Sequence, residues 1–168
     1  MPDELPDAVT IDSADSDDAA TLSDLWVDLA IDQRQHGSHL RAVENEPWIH
    51  ETMLQHVATE TALVARRSGD VVGFVTFGTE SGRYEQDCTR GFIHNIYVRD
   101  ADRGDGIGSG LIEAAEAELE SMDVDVVALE SMAENEAARA FYRRRGYTPH
   151  RVELEKPING DAHDSSAE

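Results

Sequence analysis

The chain has 168 residues, enough for one domain with a buried core, and 40% of them are hydrophobic, which excludes a disordered chain despite its charge. Thirty-five acidic residues against 14 basic ones give a formal net charge of −21, the opposite of the basic patch that a nucleic-acid or anionic-membrane surface calls for. Cys88 is the only cysteine, which excludes an internal disulfide and any cysteine-built zinc site, and no metal is expected.

No apolar run approaches the ~20 residues of a membrane span. The acidic segment Met1–Asp7 lacks the apolar core of a secretory signal, so a cytoplasmic location is expected. The basic residues are nearly all arginine, with Lys156 the sole lysine. A surface this acidic repels itself in dilute buffer, and at 1 M salt a Debye length of ~3 Å removes most of that penalty. A halophilic cytoplasm is the expectation; an acidic protein that simply stays soluble is the alternative. Residues 1–6 and 159–168 are small, polar and acidic, and are read as a flexible N-terminus and a disordered tail flanking one domain over 7–158.

In chain order, Ala8–Ile11 reads as a short strand. Leu22, Leu25, Trp26 and Leu29 recur at helical spacing between Asp17 and Gln35, and His36-Gly37-Ser38-His39 stops that helix. Pro47 suits the first turn of a second helix carrying Trp48, Met53, Leu54 and Val57. Thr61–Arg66 and Val71–Gly78 are β-rich and joined by Ser68-Gly69-Asp70, a hairpin signal. Gly91–Arg99 reads as a strand, followed by a glycine-rich turn, a helix striped by Ile107, Leu111, Ala115, Leu119 and Met122, and the strand Asp125–Glu130. Asn135 can cap a last helix that reaches Arg145 and ends at Gly146, with Tyr147–Leu154 returning as strand. The alternation predicts an α/β layer in which a strand feeds a helix that feeds a parallel strand, with ligands bound beyond the strand C-termini.

The segment Arg103-Gly104-Asp105-Gly106-Ile107-Gly108 lies there, between Ile96-Tyr97-Val98 and a helix start. Glycines permit close approach and positive φ, and the first amides of a helix point at one spot where its dipole favours an anion. A pyrophosphate suits such a turn, and Arg103 adds a charge that can pair with phosphate. The pattern alone leaves other readings open: a tight turn with nothing bound, or a dinucleotide-binding oxidoreductase with Glu130 at the end of the next strand. A P-loop is excluded because Gly-Lys-Ser/Thr is missing.

Arg103-x-x-Gly106-x-Gly108 resembles the acetyl-CoA pyrophosphate loop of the GNAT N-acetyltransferases, and Asn135, Ala138, Phe141, Tyr142, Gly146 and Tyr147 fall where that family carries Asn-x-x-Ala-x-x-Phe-Tyr-x-x-x-Gly-Phe. The match spans residues 91–150. Its local wording, Asn95-Ile96-x-Val98 and Glu130 with Asn135, most resembles ribosomal-protein alanine N-acetyltransferases. The resemblance implies the GNAT acyl-CoA N-acyltransferase fold, a mixed central sheet flanked by helices, and acetyl transfer from acetyl-CoA to a primary amine. Ile96, Tyr97 and Val98 would line the acetyl end. The N–H groups from Arg103 through Gly104, Asp105, Gly106, Ile107 and Gly108 to Ser109 would hold the pyrophosphate, and Asn135 the pantetheine arm.

Tyr142 matches the tyrosine that protonates the departing thiolate. Glu130 matches the base, with His94 its rival on a strand face shared with Ile96 and Val98. Asp102 and Asp105 depart from the pattern, because two carboxylates beside an anion loop should weaken coenzyme binding in dilute buffer. The acceptor region implied is Gln33–Trp48 with Gly78–Thr89. The acceptor itself stays open between a protein N-terminus and a small amine, and a homodimer is left open. A non-catalytic acyl-CoA-binding module is the competing class.

Overall fold

The computed structural model of the protein describes residues 4–159, and most of the tail read as disordered, residues 160–168, lies outside them, as do residues 1–3. Five strands form one sheet in sequential order: β1 (Val9–Ser13), β2 (Ala62–Arg67), β3 (Asp70–Thr79), β4 (Arg90–Val98) and β5 (Val126–Leu129). The first four run antiparallel, and β4 pairs with β5 in parallel. Helices α1 (Ala19–Arg34) and α2 (Glu46–Ala58) follow β1, and α3 (Ile107–Ser121) makes the crossover from β4 to β5. A parallel neighbour needs a crossover of a dozen or more residues, and α3 with the glycine turn supplies it.

The Asp17 start read from sequence is a 3-10 turn, Ser16–Asp18, and α1 follows it. Asp15 accepts from the Asp17 amide at 2.9 Å, and the Asp18 carboxylate accepts from the Asp15 amide at 2.9 Å, a reciprocal cap. Asp18 is buried, and Arg66 of β2 reaches it with two bonds of 3.0 and 2.6 Å.

Two apolar layers enclose the sheet. On one face Leu22, Leu25 and Trp26 of α1 and Met53 of α2 pack with Val64, Phe74 and Tyr97. On the other lie the buried Leu111, Ile112, Ala115 and Leu119 of α3. Gly73 lets α3 come down on the sheet: a Cβ there would stand 2.8 Å from the Tyr97 carbonyl oxygen and 3.3 Å from Leu111 and Val98 side-chain carbons. The backbone carbonyl cannot yield as a side-chain tip could. Gly73→Ala is therefore expected to cost about 1–3 kcal/mol of stability by overpacking, read as a lower thermal midpoint.

Between β3 and β4 the register passes from Thr76↔Asn95 to Phe77↔Ile93, so His94 is an extra residue, a β-bulge. The bulge resets the alternation. Val98 meets Leu111 on the α3 face across Gly73, whereas His94 meets His56 of α2 on the opposite face. The face shared by His94 and Val98, expected from strict alternation, is thereby corrected.

The described chain falls into two compact units that divide after Glu136, inside the 7–158 span the sequence assigns to one domain. Helix α4 (Glu136–Arg144) begins at that division and ends before Gly146, which has φ of +93°. The expected strand Tyr147–Leu154 does not form: residues 148–157 have no assigned secondary structure, and Val152 and Leu154 are 72% and 88% exposed. Alternating residues make a strand only when a neighbouring strand supplies the ladder, and among the described residues no ladder includes this segment.

Candidate active site

The parallel β4–β5 ladder runs Arg90↔Val126, Gly91↔Val127, Phe92↔Ala128, Ile93↔Leu129 and stops. From His94 onward β4 continues to Val98 without β5 beside it. The edge of Asn95–Val98 that would face β5 is therefore outside the ladder, and backbone groups that need partners line a split in the sheet. Within β4 the Asn95 side-chain amide donates to the fully buried Thr76 hydroxyl at 3.0 Å, which pins the strand to β3 just past the bulge.

At the end of β4 the chain makes a 3-10 turn, Asp100–Asp102, and then the glycine turn. Gly104 and Gly106 have φ of +87° and +86°, left-handed values that other residues resist, and Gly106 caps α3. The Gly110 amide makes the first helical bond, to the Gly106 carbonyl at 3.0 Å. The amides of Ile107, Gly108 and Ser109 precede it and open from the helix start, where the dipole favours negative charge.

The carboxylates around this turn are paired. Asp102 is buried and accepts from Arg67 at 2.6 Å and from Arg99 at 3.2 Å, and Arg67 also reaches Asp105 at 3.2 Å. The two carboxylates expected to burden an anion site are thus each paired with arginine, Asp102 with Arg67 and Arg99 and Asp105 with Arg67. Arg103 is likewise committed to the protein. Its Nη2 meets Asp32 of α1 at 3.0 Å, its Nη1 meets Asp100 at 2.7 Å, and its Nε donates to the Val98 carbonyl at 2.8 Å. The guanidinium also lies 5.1 Å from the Tyr97 ring centroid. It thus ties α1 to the strand end and the turn.

The candidate bases stand where the strands part. His94 is the bulge residue directly after Ile93, and Glu130 follows Leu129, the residue paired with Ile93. Burial holds the His94 imidazole below its ordinary range, and the nearby Glu130 charge opposes that in part. A neutral imidazole with a lone pair is the form able to accept a proton near pH 7. The loop after α1 also approaches this end of the sheet: a Cβ on Gly37 would lie 3.5 Å from the Glu134 carboxylate.

A model described as the acetyltransferase (GNAT) family matches residues 16–147. The chain belongs to the GNAT acetyltransferase family. Solved structures share its fold. A GCN5-related N-acetyltransferase from Ralstonia eutropha JMP134 superposes with a TM-score of 0.71 at 22% identity, covering 89% of this chain and 98% of that one. A "predicted acetyltransferase" from Clostridium acetobutylicum, solved with acetyl-CoA, gives 0.70 at 18% identity over 92% and 99%. A ribosomal-protein-alanine N-acetyltransferase from Brucella melitensis biovar Abortus 2308 gives 0.62 at 22% over 90% and 100%. No curated protein matches the sequence.

In this GNAT chain the split edge, the glycine turn, His94 and Glu130 all belong to the first unit, as does Asn135, which stands just before α4. Tyr142 belongs to the second. There its ring packs edge-on against Phe141 and Tyr147, with centroids 5.4 and 6.0 Å away, and burial pushes its phenol up to about 12. Three participants escape a reading of the sequence: His56 beside His94, Arg67 across Asp102 and Asp105, and Asp32 on Arg103. None lies in a motif, and each reaches its partner through tertiary packing alone. No cluster of potential metal ligands occurs among the described residues, and no described helix is long and apolar enough to cross a membrane.

Proposed function

We propose that this GNAT protein transfers an acetyl group from acetyl-CoA to a primary amine by direct attack in a ternary complex. The observation that carries the reading is the end of the β4–β5 ladder at Ile93 and Leu129, followed directly by a glycine turn whose amides open from the start of α3. The split offers backbone groups to a pantetheine arm, and the turn offers N–H groups from Gly104 to Ser109 to a pyrophosphate, the Arg103 amide being bonded to the Asp100 carbonyl at 3.3 Å. The Arg103 guanidinium, already paired, acts by holding the turn, so the phosphates are left to the amides.

In the reaction Glu130 or His94 removes a proton from the acceptor ammonium, freeing the lone pair that attacks the thioester carbonyl. The amide of Ile96 or Val98 donates to the developing oxyanion. As the carbon–sulfur bond breaks, Tyr142 gives its proton to the departing thiolate, the attacking nitrogen sheds its extra proton, and that proton restores the phenol through solvent, so the products are an amide and a free thiol. Asn135 supports the pantetheine arm. The motif around Asn95 and Glu130 favours a protein N-terminus as acceptor over a small amine, in keeping with the name of the Brucella neighbour. The net charge of −21 supports work in a salt-rich cytoplasm, where screening relieves the self-repulsion of the surface.

Calorimetric titration with acetyl-CoA in molar KCl tests this. Saturable binding at about one site per chain is expected, weakened roughly tenfold or more in Gly106→Ala, because alanine resists the left-handed conformation by about 1–2 kcal/mol. A folded protein that binds no acetyl-CoA would overturn the coenzyme reading. Binding without transfer to any amine would make it an acyl-CoA-binding module instead.

A further inference from the structure

His56 has no place in any motif, yet its ring stands beside that of His94. It lies on the last turns of α2, and its Nδ1 is 2.7 Å from the Thr61 hydroxyl at the entry to β2. Thr61 Oγ1 is in turn 2.8 Å from Thr59 Oγ1, which also donates to the Gln55 carbonyl at 3.0 Å. A hydrogen-bonded chain therefore runs from the exposed Thr59 through Thr61 to the His56 ring. That ring stands 5.8 Å from the His94 ring, centroid to centroid, at a tilt of 48°. The Phe92 ring also lies beside His94 at 5.4 Å, and a Cβ on Gly78 would be in ordinary contact with its Nε2 at 3.6 Å. The bulge turns His94 onto this face, and only here can it meet α2.

We propose that His56 is a positioning residue for His94, its ring fixed by the Thr59–Thr61 chain so that the His94 imidazole is held at the mouth of the β4–β5 split. The proposal rests on the reading of His94 as a base for the acceptor amine. Among the described residues, the charges bearing on the pair are Glu130, which favours a proton on His94, and His94 itself, which disfavours one on His56. Burial acts first on both, lowering each below its ordinary range. Two imidazoles this close do not both charge readily. As pH falls the first proton goes, by the sense of those charges, to His94, and it holds off a second on His56. A proton on His94 thus limits how readily His56 is protonated, while His56, by contact, limits which way the His94 ring faces.

The test is an imidazole NMR titration of the full-length protein in molar KCl, which requires neither coenzyme nor acceptor. In the wild type, His94 and His56 are expected to titrate as a coupled pair, each curve showing an inflection at the midpoint of the other. In His56→Gln, the His94 curve should lose the inflection due to its partner, and its resonance should broaden as the ring loses the neighbour that orients it. Thr61→Val, which removes the anchor and leaves both rings, should change the His56 tautomer and broaden the His94 resonance. His94 curves that are the same in all three proteins would overturn the proposal. Because no coenzyme is involved, its failure is separable from a failure of acetyl-CoA binding, which would instead remove the catalytic reading of His94.

Discussion

Tyr142→Phe is expected to lower kcat by about 10²- to 10⁴-fold, the usual contribution of a general acid, while the affinity for acetyl-CoA measured by calorimetry stays unchanged. The hydroxyl is the only group removed, and Phe141 and Tyr147 would still pack edge-on against the remaining ring. Burial raises the phenol to about 12, above its ordinary value of 10.0. The proton is therefore present across the whole working range, and Tyr142 itself should put no alkaline limb on the rate profile below about pH 12. Any acidic limb reports the base, whose protonated form cannot accept from the amine. Loss of turnover with binding retained supports proton donation to sulfur; full activity in the phenylalanine variant would reduce Tyr142 to a packing residue.

Arg66→Met is expected to cost about 3 kcal/mol, in the range seen when one partner of a buried pair is removed, and to lower the thermal midpoint accordingly. Arg66 and Asp18 have side chains 22% and 9% exposed, so Asp18 would be left as a shielded carboxylate with its strongest partner gone. The hydrogen bonds from Arg66 hold the Asp18 carboxyl below its ordinary 3.8, against a smaller opposing effect of burial. A carboxylate with a depressed folded-state pKa contributes stability that is complete above its unfolded value and disappears as pH falls through the folded one. The Asp18–Arg66 contribution is thus whole at pH 5 and is lost progressively below 3.8. Acid titration followed by circular dichroism should show the wild type unfolding at a lower pH than Arg66→Met. Coincident acid midpoints would mean that the pair adds nothing specific, only two charges among many. Methionine keeps most of the apolar stem of arginine, so lost packing is a minor part of the effect.

The elements of the first unit were legible from side-chain periodicity because each has a local cause. Leu22, Leu25, Trp26 and Leu29 make one stripe on α1, Pro47 starts α2, and Gly69 with Gly104 and Gly106 sits where φ is positive. The Asn135 to Gly146 signature likewise marked α4 and its stop. The strand expected over Tyr147–Leu154 failed because alternation states a preference, whereas a strand exists only when a neighbour completes its hydrogen bonds.

The sequence by itself determined the order of strands and helices in the first unit and the turn that suits a pyrophosphate, which follow from short-range patterns of glycine, capping residues and apolar spacing, while its motifs carried the resemblance to the family. Only the tertiary structure decided the electrostatics and the facing of side chains. A carboxylate such as Asp102 reads as a free charge until Arg67, 35 positions earlier, is folded against it. His94 changes face because one extra residue in β4 shifts the pleat relative to β3, and that insertion is defined by a partner strand. Charge pairing and register are relations between distant segments, so their energies are set only when the chain has closed on itself.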